Sequence, residues 1–174
     1  MEIRQFDRRQ TDAMVDLLQE LFSYYIQDAR TNRREIEEHL LKNPLAEDSG
    51  LQLITAASHD GSLLGFAAIG FVHSIVDPRP SSSRQCFLKE LYVAHEHRGK
   101  GLGLKLMQWI ARHAIENGCA RIDWPVKSEN YGGIKFYESL GAHQVTDRLS
   151  YRISGEALAA LADAKLRHRG QIGS

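Results

Sequence analysis

Glycine occupies alternate positions in the segment Arg98–Gly103, three times in all, between an apolar stretch and the most regular amphipathic stretch of the chain. Glycine has no Cβ atom and adopts left-handed backbone conformations freely, so N–H groups in such a segment can converge on one point. The first turn of a helix adds N–H donors without partners and the positive end of the helix dipole. The segment therefore predicts a strand, a tight turn and a helix N-terminus able to bind a pyrophosphate.

Two common phosphate-binding motifs do not match this segment. The phosphate-loop motif ends in Gly-Lys-Ser or Gly-Lys-Thr, whereas Gly103 is followed by Leu104 and Lys105. The dinucleotide-binding fingerprint spaces its last two glycines three positions apart, in the first strand–helix unit of a domain. Here that spacing is two, from Gly101 to Gly103, in the middle of the chain. A plain glycine-rich connection into a surface helix remains an alternative reading of these residues.

The periodicity of apolar residues predicts strands mixed with helices along the rest of the chain. Apolar runs on either side of Asp60-Gly61 predict a β-hairpin, and apolar residues at helical spacing from Leu102 to Ala114 predict an amphipathic helix. This mixture indicates an α/β layered domain with a mixed sheet, and Asp77–Ser83 is predicted to be a loop. The predicted strands cover residues 1–6, 51–58, 63–72, 86–93, 121–126, 143–145 and 149–153, and the predicted helices cover residues 14–25, 33–42, 101–116, 132–140 and 157–166. Asn32 is predicted to cap the helix over 33–42.

The composition of the 174 residues argues against several classes of protein. Lys plus Arg and Asp plus Glu both number 22, whereas dedicated nucleic-acid binders carry a basic surplus. No apolar run approaches the roughly 20 residues that span a bilayer, and the N-terminus is charged where a signal peptide is apolar. We therefore expect a single domain, residues 1–174, in a soluble cytoplasmic protein with no membrane or nucleic-acid partner.

The histidines and cysteines do not predict a metal site. His95 and His97 stand two positions apart in a polar turn, with no third ligand at a recognisable spacing. Cys86 and Cys119 form no Cys-x-x-Cys pair and cannot supply a disulfide framework. We expect no metal, and we expect both cysteines to be small packing residues.

Two motifs follow one another in the second half of the chain. The first is Leu91-Tyr92-Val93 followed by Arg98-x-x-Gly101-x-Gly103, and the second, about 27 residues on, is Asn130 followed by Phe136-Tyr137-x-x-Leu140-Gly141-Ala142. Together they resemble the GNAT superfamily of N-acetyltransferases, most closely from Phe87 to Ala142. The resemblance implies a single-domain α/β fold with a mixed, mostly antiparallel sheet flanked by helices, whose coenzyme-binding core covers about residues 85–145.

The resemblance also implies where acetyl-coenzyme A, the acetyl donor of this superfamily, would bind. The amides of Leu91–Val93 are implied to pair with the pantetheine as an added strand, which leaves the Val93 N–H near the carbonyl oxygen. Asn130 is implied to bind polar groups of the coenzyme, and it also fits the role of a helix N-cap. The coenzyme-binding residues implied in this way are Leu91, Tyr92, Val93, Arg98, Gly99, Lys100, Gly101, Leu102, Gly103, Leu104 and Asn130.

Tyr137 is implied as the acid that protonates the coenzyme sulfur. A phenol with an ordinary pKa of about 10 is neutral at pH 7, so it carries the proton that a departing thiolate needs. Packing on the sheet beside Phe136 is the alternative interpretation of Tyr137. The two aromatic residues lie about 100° apart on a helix, so one can be buried while the other faces a cleft.

Three further residues are candidates for contacts to the acceptor. Glu90, three residues before Val93, is the candidate base or the anchor for an acceptor cation, and a solvated strand charge is the alternative. Asp123 and Trp124 are weaker candidates, through charge and cation–π attraction, and a core position is the alternative for Trp124. The stretch around Asp123-Trp124 also resembles the diamine acetyltransferase branch, which carries a second acid where this chain has Lys89.

The resemblance implies acetyl transfer from acetyl-coenzyme A to a primary amine, by direct attack in a ternary complex. A small molecule such as a polyamine, an amino acid or an aminoglycoside-like drug is the expected acceptor. Acetylation of a protein N-terminus or lysine is the alternative with the same chemistry. A non-catalytic acyl-coenzyme A sensor is the alternative from another class, and the presence of Tyr137 and Asn130 argues against it. The oligomeric state stays open, with a homodimer as one expectation from the superfamily.

Overall fold

The computed structural model describes residues 1–26, 31–79 and 83–163 of the chain. Its contacts divide the chain into two compact units, Met1–Gly133 and Ile134–Ser174. The first unit contains a five-stranded sheet in the order β1-β2-β3-β4-β5, antiparallel throughout except for the parallel pair β4–β5. The strands are β1 Glu2–Gln5, β2 Leu51–Ala57, β3 Leu63–His73, β4 Arg84–Val93 and β5 Ile122–Asp123. The expectation of a mixed, mostly antiparallel sheet flanked by helices is confirmed.

Five α-helices lie within the described ranges, with bounds close to those predicted. They are α1 Thr11–Tyr25, α2 Arg33–Lys42, α3 Leu102–Glu116, α4 Tyr131–Ser139 and α5 Gly155–Asp163. Helix α2 begins at the predicted cap: the Asn32 side chain accepts the Glu35 N–H while the Glu35 carboxylate accepts the Asn32 N–H. These two hydrogen bonds satisfy donors that the first turn would otherwise leave unpaired. None of the helices in the described ranges is long and apolar enough to cross a membrane.

Helices cover both faces of the sheet in the first unit. On one face, α1 and α2 pack on alternate residues of β2, β3 and β4 around a cluster that includes Met14, Leu40 and Phe66. The intervening residues of β2 and β3 are also buried, on the face where α3 packs. Helix α3 turns the predicted apolar stripe toward the sheet, and its buried residues are Leu102, Leu106, Met107, Ile110 and Ala114.

A β-bulge at Lys89 changes which face of the sheet the end of β4 presents. Ile69 pairs with Leu88 and the preceding Ala68 pairs with Glu90, so Lys89 has no partner on β3. One extra residue in a strand shifts its side-chain alternation by one position. Glu90, opposite Ala68, therefore lies on the α1 face, whereas Leu88 lies on the face covered by α3.

Three predicted strands differ from the structure. The strand expected over 121–126 contains only Ile122 and Asp123, and the segments 143–145 and 149–153 have no regular secondary structure and are exposed. Alternating apolar residues form a strand only where a neighbouring strand completes the hydrogen bonds, and no described strand pairs with these segments. Helix α5 was predicted to extend to residue 166, but residues 164–166 lie outside the described ranges, as do residues 80–82 of the predicted loop.

Candidate active site

The glycine segment, Arg98–Leu104, forms the turn between β4 and α3. Gly99 and Gly101 have φ angles of 72° and 75°, in the left-handed region that residues with a Cβ atom rarely adopt. Gly101 is the N-cap of α3, and no side-chain hydrogen bond caps this helix. A Cβ atom built on either glycine would meet no atom within 4 Å. The backbone therefore requires glycine here, while the space above the uncapped helix N-terminus is open.

The remaining predicted residues of the glycine segment differ in exposure. Lys100 and Leu104 are exposed, Gly103 is half-buried in the first turn of α3, and Leu102 is buried. Only Leu102 is part of the hydrophobic core. The outward-facing residues thus surround the helix N-terminus, and Leu102 fixes it to the sheet.

Arg98 is held in place by one hydrogen bond and two aromatic rings. Its Nε donates to the Val93 carbonyl oxygen at 3.0 Å. The guanidinium carbon lies 5.5 Å from the centre of the Tyr92 ring and 5.7 Å from that of Tyr24. Cation–π attraction at such distances stabilises a cation at the surface. The Arg98 guanidinium thus lies against Tyr24 of α1 and Tyr92 of β4, where its charge helps to lower the pKa of Glu20.

Glu20 joins α1 to the end of β4. Its Oε1 accepts the Tyr92 hydroxyl at 2.6 Å and the His95 N–H at 2.9 Å. Burial raises the pKa of Glu20, but these two donors, together with the charges of Arg98 and His95, outweigh it and hold the pKa below its ordinary value. Burial, followed by the bond to Glu20, raises the pKa of Tyr92 to about 12. Tyr92 is therefore a neutral donor that positions the strand, and its side chain is buried.

The Glu90 side chain is half-buried and receives a hydrogen bond from helix α1. The Tyr25 hydroxyl donates to Glu90 Oε1 at 3.2 Å. Burial raises the pKa of Glu90 above its ordinary value, against the opposing effects of the Tyr25 hydroxyl, the Leu91 N–H and the charges of Lys89 and Lys127. The ammonium of Lys127 lies 4.7 Å from the centre of the Tyr25 ring. Glu90 is thus not a fully solvated strand charge.

Tyr25 and Lys127 are residues that the sequence did not predict for the site. Tyr25 fits the apolar spacing of α1, yet the residue is 45% exposed and its hydroxyl reaches Glu90 on β4. No local pattern links it to Glu90, which is 65 residues away in the sequence. Adjacent tyrosines at the end of a helix, such as Tyr24 and Tyr25, are the signal that could have drawn attention to it.

The edge of β4 is open where Leu91–Val93 lie. Strand β5 pairs with β4 only at Cys86 and Phe87, and no other described strand borders β4 on that side. The side chains of Leu91 and Val93 are half-buried. This edge can accept the hydrogen bonds of an extended ligand as though it were an added strand.

The structure places Asn130, Asp123 and Trp124 in the first unit with partners of their own. Asn130 Oδ1 accepts the Gly133 N–H at 2.9 Å, which is the N-cap interaction. Asp123 Oδ2 accepts from Arg121 Nε at 2.7 Å, so its charge is already paired. Trp124 is half-buried, so it is not a fully buried core residue, and its contact with an acceptor stays a prediction.

Tyr137 belongs to the second unit. Its ring centre lies 5.2 Å from that of Phe136 at an angle of 55°, and both side chains are half-buried. The Tyr137 carbonyl accepts the N–H groups of Leu140 and Ala142, which closes the end of α4. The chain turns there at Gly141, whose φ is 85°. The acid role of Tyr137 stays a prediction.

A cavity of about 410 Å³ lies between the N-terminal half of α1 and the turn after β4. Its lining includes Glu20 and His95 but contains neither Glu90 nor any residue of the glycine segment. We therefore do not place the chemistry in this cavity. Among the described residues no group of three or more His, Cys, Asp or Glu side chains could hold a metal ion.

The cysteines lack the properties of nucleophiles. Cys86 is fully buried, and burial raises the pKa of its thiol to about 11. Cys119 is half-buried, and burial raises its pKa as well. Because the thiolate is the reactive form, neither side chain is activated. The prediction that the cysteines are packing residues is consistent with the burial of Cys86.

Comparisons with known proteins identify a family whose model spans the glycine segment and most of the sheet. Residues 11–142 match the family model described as the acetyltransferase (GNAT) family. A thialysine N-epsilon-acetyltransferase from Mus musculus is 30% identical over 126 residues, which cover 70% of this chain and 71% of that protein. The solved structure of an integron cassette protein from the mobile metagenome of V. cholerae is 35% identical, with a TM-score of 0.84, and the match covers 94% of this chain and 98% of that one.

A structure of an aminoglycoside N-acetyltransferase in complex with coenzyme A has the same fold. It is 23% identical with a TM-score of 0.63, and the match covers 88% of this chain and 100% of that one. The family model alone covers more than half of the chain and includes the glycine segment, Glu90 and Tyr137. The chain therefore belongs to the acetyltransferase (GNAT) family and is an N-acetyltransferase.

Proposed function

We propose that this enzyme transfers the acetyl group of acetyl-coenzyme A directly to the primary amine of a small molecule. The observation that carries the proposal is the position of the half-buried Glu90 carboxylate. It lies three residues before Val93, on the strand whose open edge leads into an uncapped, glycine-built helix N-terminus. The site thus combines a surface for a long anionic ligand with a carboxylate for a cationic one.

The residues present fit acetyl-coenzyme A. The N-terminus of α3 offers N–H donors and the positive end of its dipole to the pyrophosphate, and Arg98, at the start of the glycine segment, would add positive charge. Coenzyme A is a ligand of the aminoglycoside N-acetyltransferase structure, which supports the same assignment for this chain. The open edge at Leu91–Val93 would pair with the pantetheine. Asn130 keeps its capping role, and its amide could bind the coenzyme as well.

The proposed reaction requires a neutral amine, a stabilised oxyanion and a proton for the thiolate. Only about one alkylammonium in a thousand is deprotonated at pH 7. Glu90 would hold the ammonium form and pass its proton to water as the amine attacks the thioester carbon. The Val93 N–H would donate to the carbonyl oxygen as negative charge develops there. Tyr137 would protonate the sulfur as the carbon–sulfur bond breaks, which gives the N-acetylated amine and the free thiol.

Small cationic amines are the proposed acceptors. The name of the Mus musculus relative identifies a side-chain amine of an amino acid as its acceptor, and that of the structural neighbour identifies an aminoglycoside. The positive charge of Lys89, next to Glu90 in the sequence, works against a long polycation. We therefore propose a monoamine or short diamine, and not spermine, as the preferred acceptor.

The proposal is tested by measuring thiol release from acetyl-coenzyme A with a panel of acceptors. The panel contains monoamines, diamines of increasing length, lysine analogues, spermine, aminoglycosides, and peptides with a free N-terminus or lysine. We expect the highest kcat/KM with a small monoamine or short diamine. A peptide that exceeds every small amine would shift the assignment to protein acetylation. Coenzyme binding without thiol release from any member would indicate a sensor.

A further inference from the structure

The chain places one of its own ammonium groups over the aromatic ring that is hydrogen-bonded to the candidate base. Lys127 Nζ lies 4.7 Å from the centre of the Tyr25 ring, and the Tyr25 hydroxyl donates to Glu90 Oε1 at 3.2 Å. The backbone of Lys127 is fixed because its carbonyl accepts the Asn130 N–H at 2.9 Å, in the turn that leads into α4. An alkylammonium therefore already occupies the space in front of an aromatic face whose hydroxyl donates to a half-buried carboxylate.

This combination of groups recognises alkylammonium ions in general. The negative face of an aromatic ring attracts a cation within about 6 Å, and a nearby carboxylate adds charge complementarity. Lys127 is itself one of the charges that favour the ionised form of Glu90. A free amine that binds to Glu90 in its protonated form would compete with Lys127 for the same ring face and the same carboxylate.

We propose that Lys127 is a specificity-determining residue that occupies the cation site formed by Tyr25 and Glu90 until a cationic acceptor displaces it. The inference rests on the proposed function, in which Glu90 binds the acceptor as an ammonium ion. The displaced Lys127 ammonium stays near the site, because its side chain limits how far it can move. It therefore repels a second ammonium on the acceptor, and acceptors with a single positive charge are favoured over polycations.

Lys89 offers a matched control for this lysine. Both Lys89 and Lys127 are exposed, and both charges act on Glu90. Lys89 lies at the β-bulge of β4, whereas the Lys127 ammonium lies over the Tyr25 ring. Substitution of either lysine by methionine removes one positive charge near Glu90 while it keeps an unbranched side chain. A difference between the two variants therefore reports the contact with the ring and not the charge alone.

The first measurement is binding of butylammonium to the full-length chain without coenzyme, by calorimetry. We expect Lys127→Met to tighten binding about twofold to fivefold, the range of a surface cation–π contact, and Lys89→Met to change it less. Butanol, the neutral counterpart, should bind equally to all variants. Tyr25→Leu introduced into Lys127→Met should cancel the gain, because it removes the ring that the probe would occupy.

Unchanged affinity for butylammonium in Lys127→Met, or a gain equal to that of Lys89→Met, would overturn the inference. Weaker binding would also overturn it, since Lys127 would then assist the ligand. The thiol-release assay separates this inference from the proposed function. If Lys127→Met binds butylammonium more tightly but no amine is acetylated, only the proposed transfer is refuted. If transfer is normal and Lys127→Met keeps the parent KM for monoamines, only the role of Lys127 is refuted.

Discussion

At the residue scale, the proposed chemistry depends on the environment of Glu90. Its carboxylate is half-buried, a position that disfavours its charge, while the Tyr25 hydroxyl and two lysines favour that charge. The balance leaves the pKa above its ordinary value but keeps the group suited to binding a cation. Glu90 can therefore bind an acceptor ammonium and assist its deprotonation, and each of these roles has a measurable consequence.

Glu90→Gln keeps the shape of the side chain and removes its charge. We expect KM for the best amine to rise roughly tenfold, the effect of losing one charged hydrogen bond. We also expect the rise in activity toward pH 8 or 9, which reflects the growing fraction of free amine, to become flatter. Steady-state kinetics over pH 6–9 provides the measurement, with the exposed Glu96→Gln as the control. Identical KM and pH profiles in Glu90→Gln and the parent would show that Glu90 is only a strand charge.

The same substitution should change the pH dependence of stability. Because the pKa of Glu90 is raised in the folded chain, the native state binds more protons than the unfolded state between the ordinary and the raised pKa. The contribution of Glu90 to stability is thus present at pH values below the ordinary pKa and falls as pH rises through the raised one. We expect Tm of Glu90→Gln relative to the parent to be higher at pH 7 than at pH 4, by thermal unfolding. A relative Tm that falls toward pH 7 would contradict this sign.

Tyr137→Phe removes only the hydroxyl proposed as the acid. We expect kcat to fall at least tenfold, because general acid catalysis typically contributes 10²- to 10⁴-fold, while coenzyme affinity is retained. Tyr131→Phe provides a matched control on the same helix, since the Tyr131 ring is exposed. An unchanged kcat in Tyr137→Phe would make Tyr137 a packing residue, with another group or water as the proton donor.

At the element scale, the N-terminus of α3 combines two requirements in the glycine segment. The positive φ of Gly101 is a requirement of the fold, and the open space above it is a requirement of the proposed ligand. Gly118, at the other end of α3, has a φ of 72° and equally open surroundings. A Cβ atom at either glycine would therefore introduce similar backbone strain, but only Gly101 lies in the proposed coenzyme site.

We expect Gly101→Ala to weaken coenzyme A binding at least tenfold, because a Cβ atom would occupy the space that a pyrophosphate needs. Gly101→Ala and Gly118→Ala should lose similar stability, roughly 1 kcal/mol each, from the left-handed conformation. Calorimetry for affinity and thermal unfolding for stability separate the two effects. Equal coenzyme affinity in both variants would remove the glycine segment from the coenzyme site.

At the scale of the whole molecule, the described residues contain no activated cysteine that could carry the acetyl group between two half-reactions. The raised pKa values of Cys86 and Cys119 keep both thiols protonated near pH 7. In the proposed mechanism the donor and the acceptor therefore meet in one complex. The formal net charge is zero, so overall charge attracts neither ligand, and binding depends on how the charges are arranged around the site.

We therefore expect initial-velocity plots with intersecting lines when acetyl-coenzyme A and the amine are varied together. Parallel lines would indicate a covalent acetyl-enzyme, the pattern of a ping-pong reaction. The matching direct measurement is mass spectrometry of the full chain after incubation with acetyl-coenzyme A alone. An acetylated Cys86 or Cys119 in that experiment would contradict direct transfer.

Local features of the chain could be read from the sequence alone. The hairpin at Asp60-Gly61, the Asn32 cap and the apolar face of α3 depend on contacts within a few residues, and all three are as predicted. The placement of Glu90 and Tyr92 on one strand face also follows from alternation within β4. These predictions succeed because the atoms that decide them are close in the chain.

The tertiary structure decided which residues surround Glu90. The bulge at Lys89, which turns Glu90 toward α1, depends on pairing with β3, and Tyr25 reaches Glu90 only because α1 packs on that face. The segments 143–145 and 149–153 carry a strand pattern yet form no strand, since a strand also needs a neighbour to complete its hydrogen bonds. Sequence periodicity specifies which way a side chain points along its own element, whereas the partner it meets depends on how distant elements pack together.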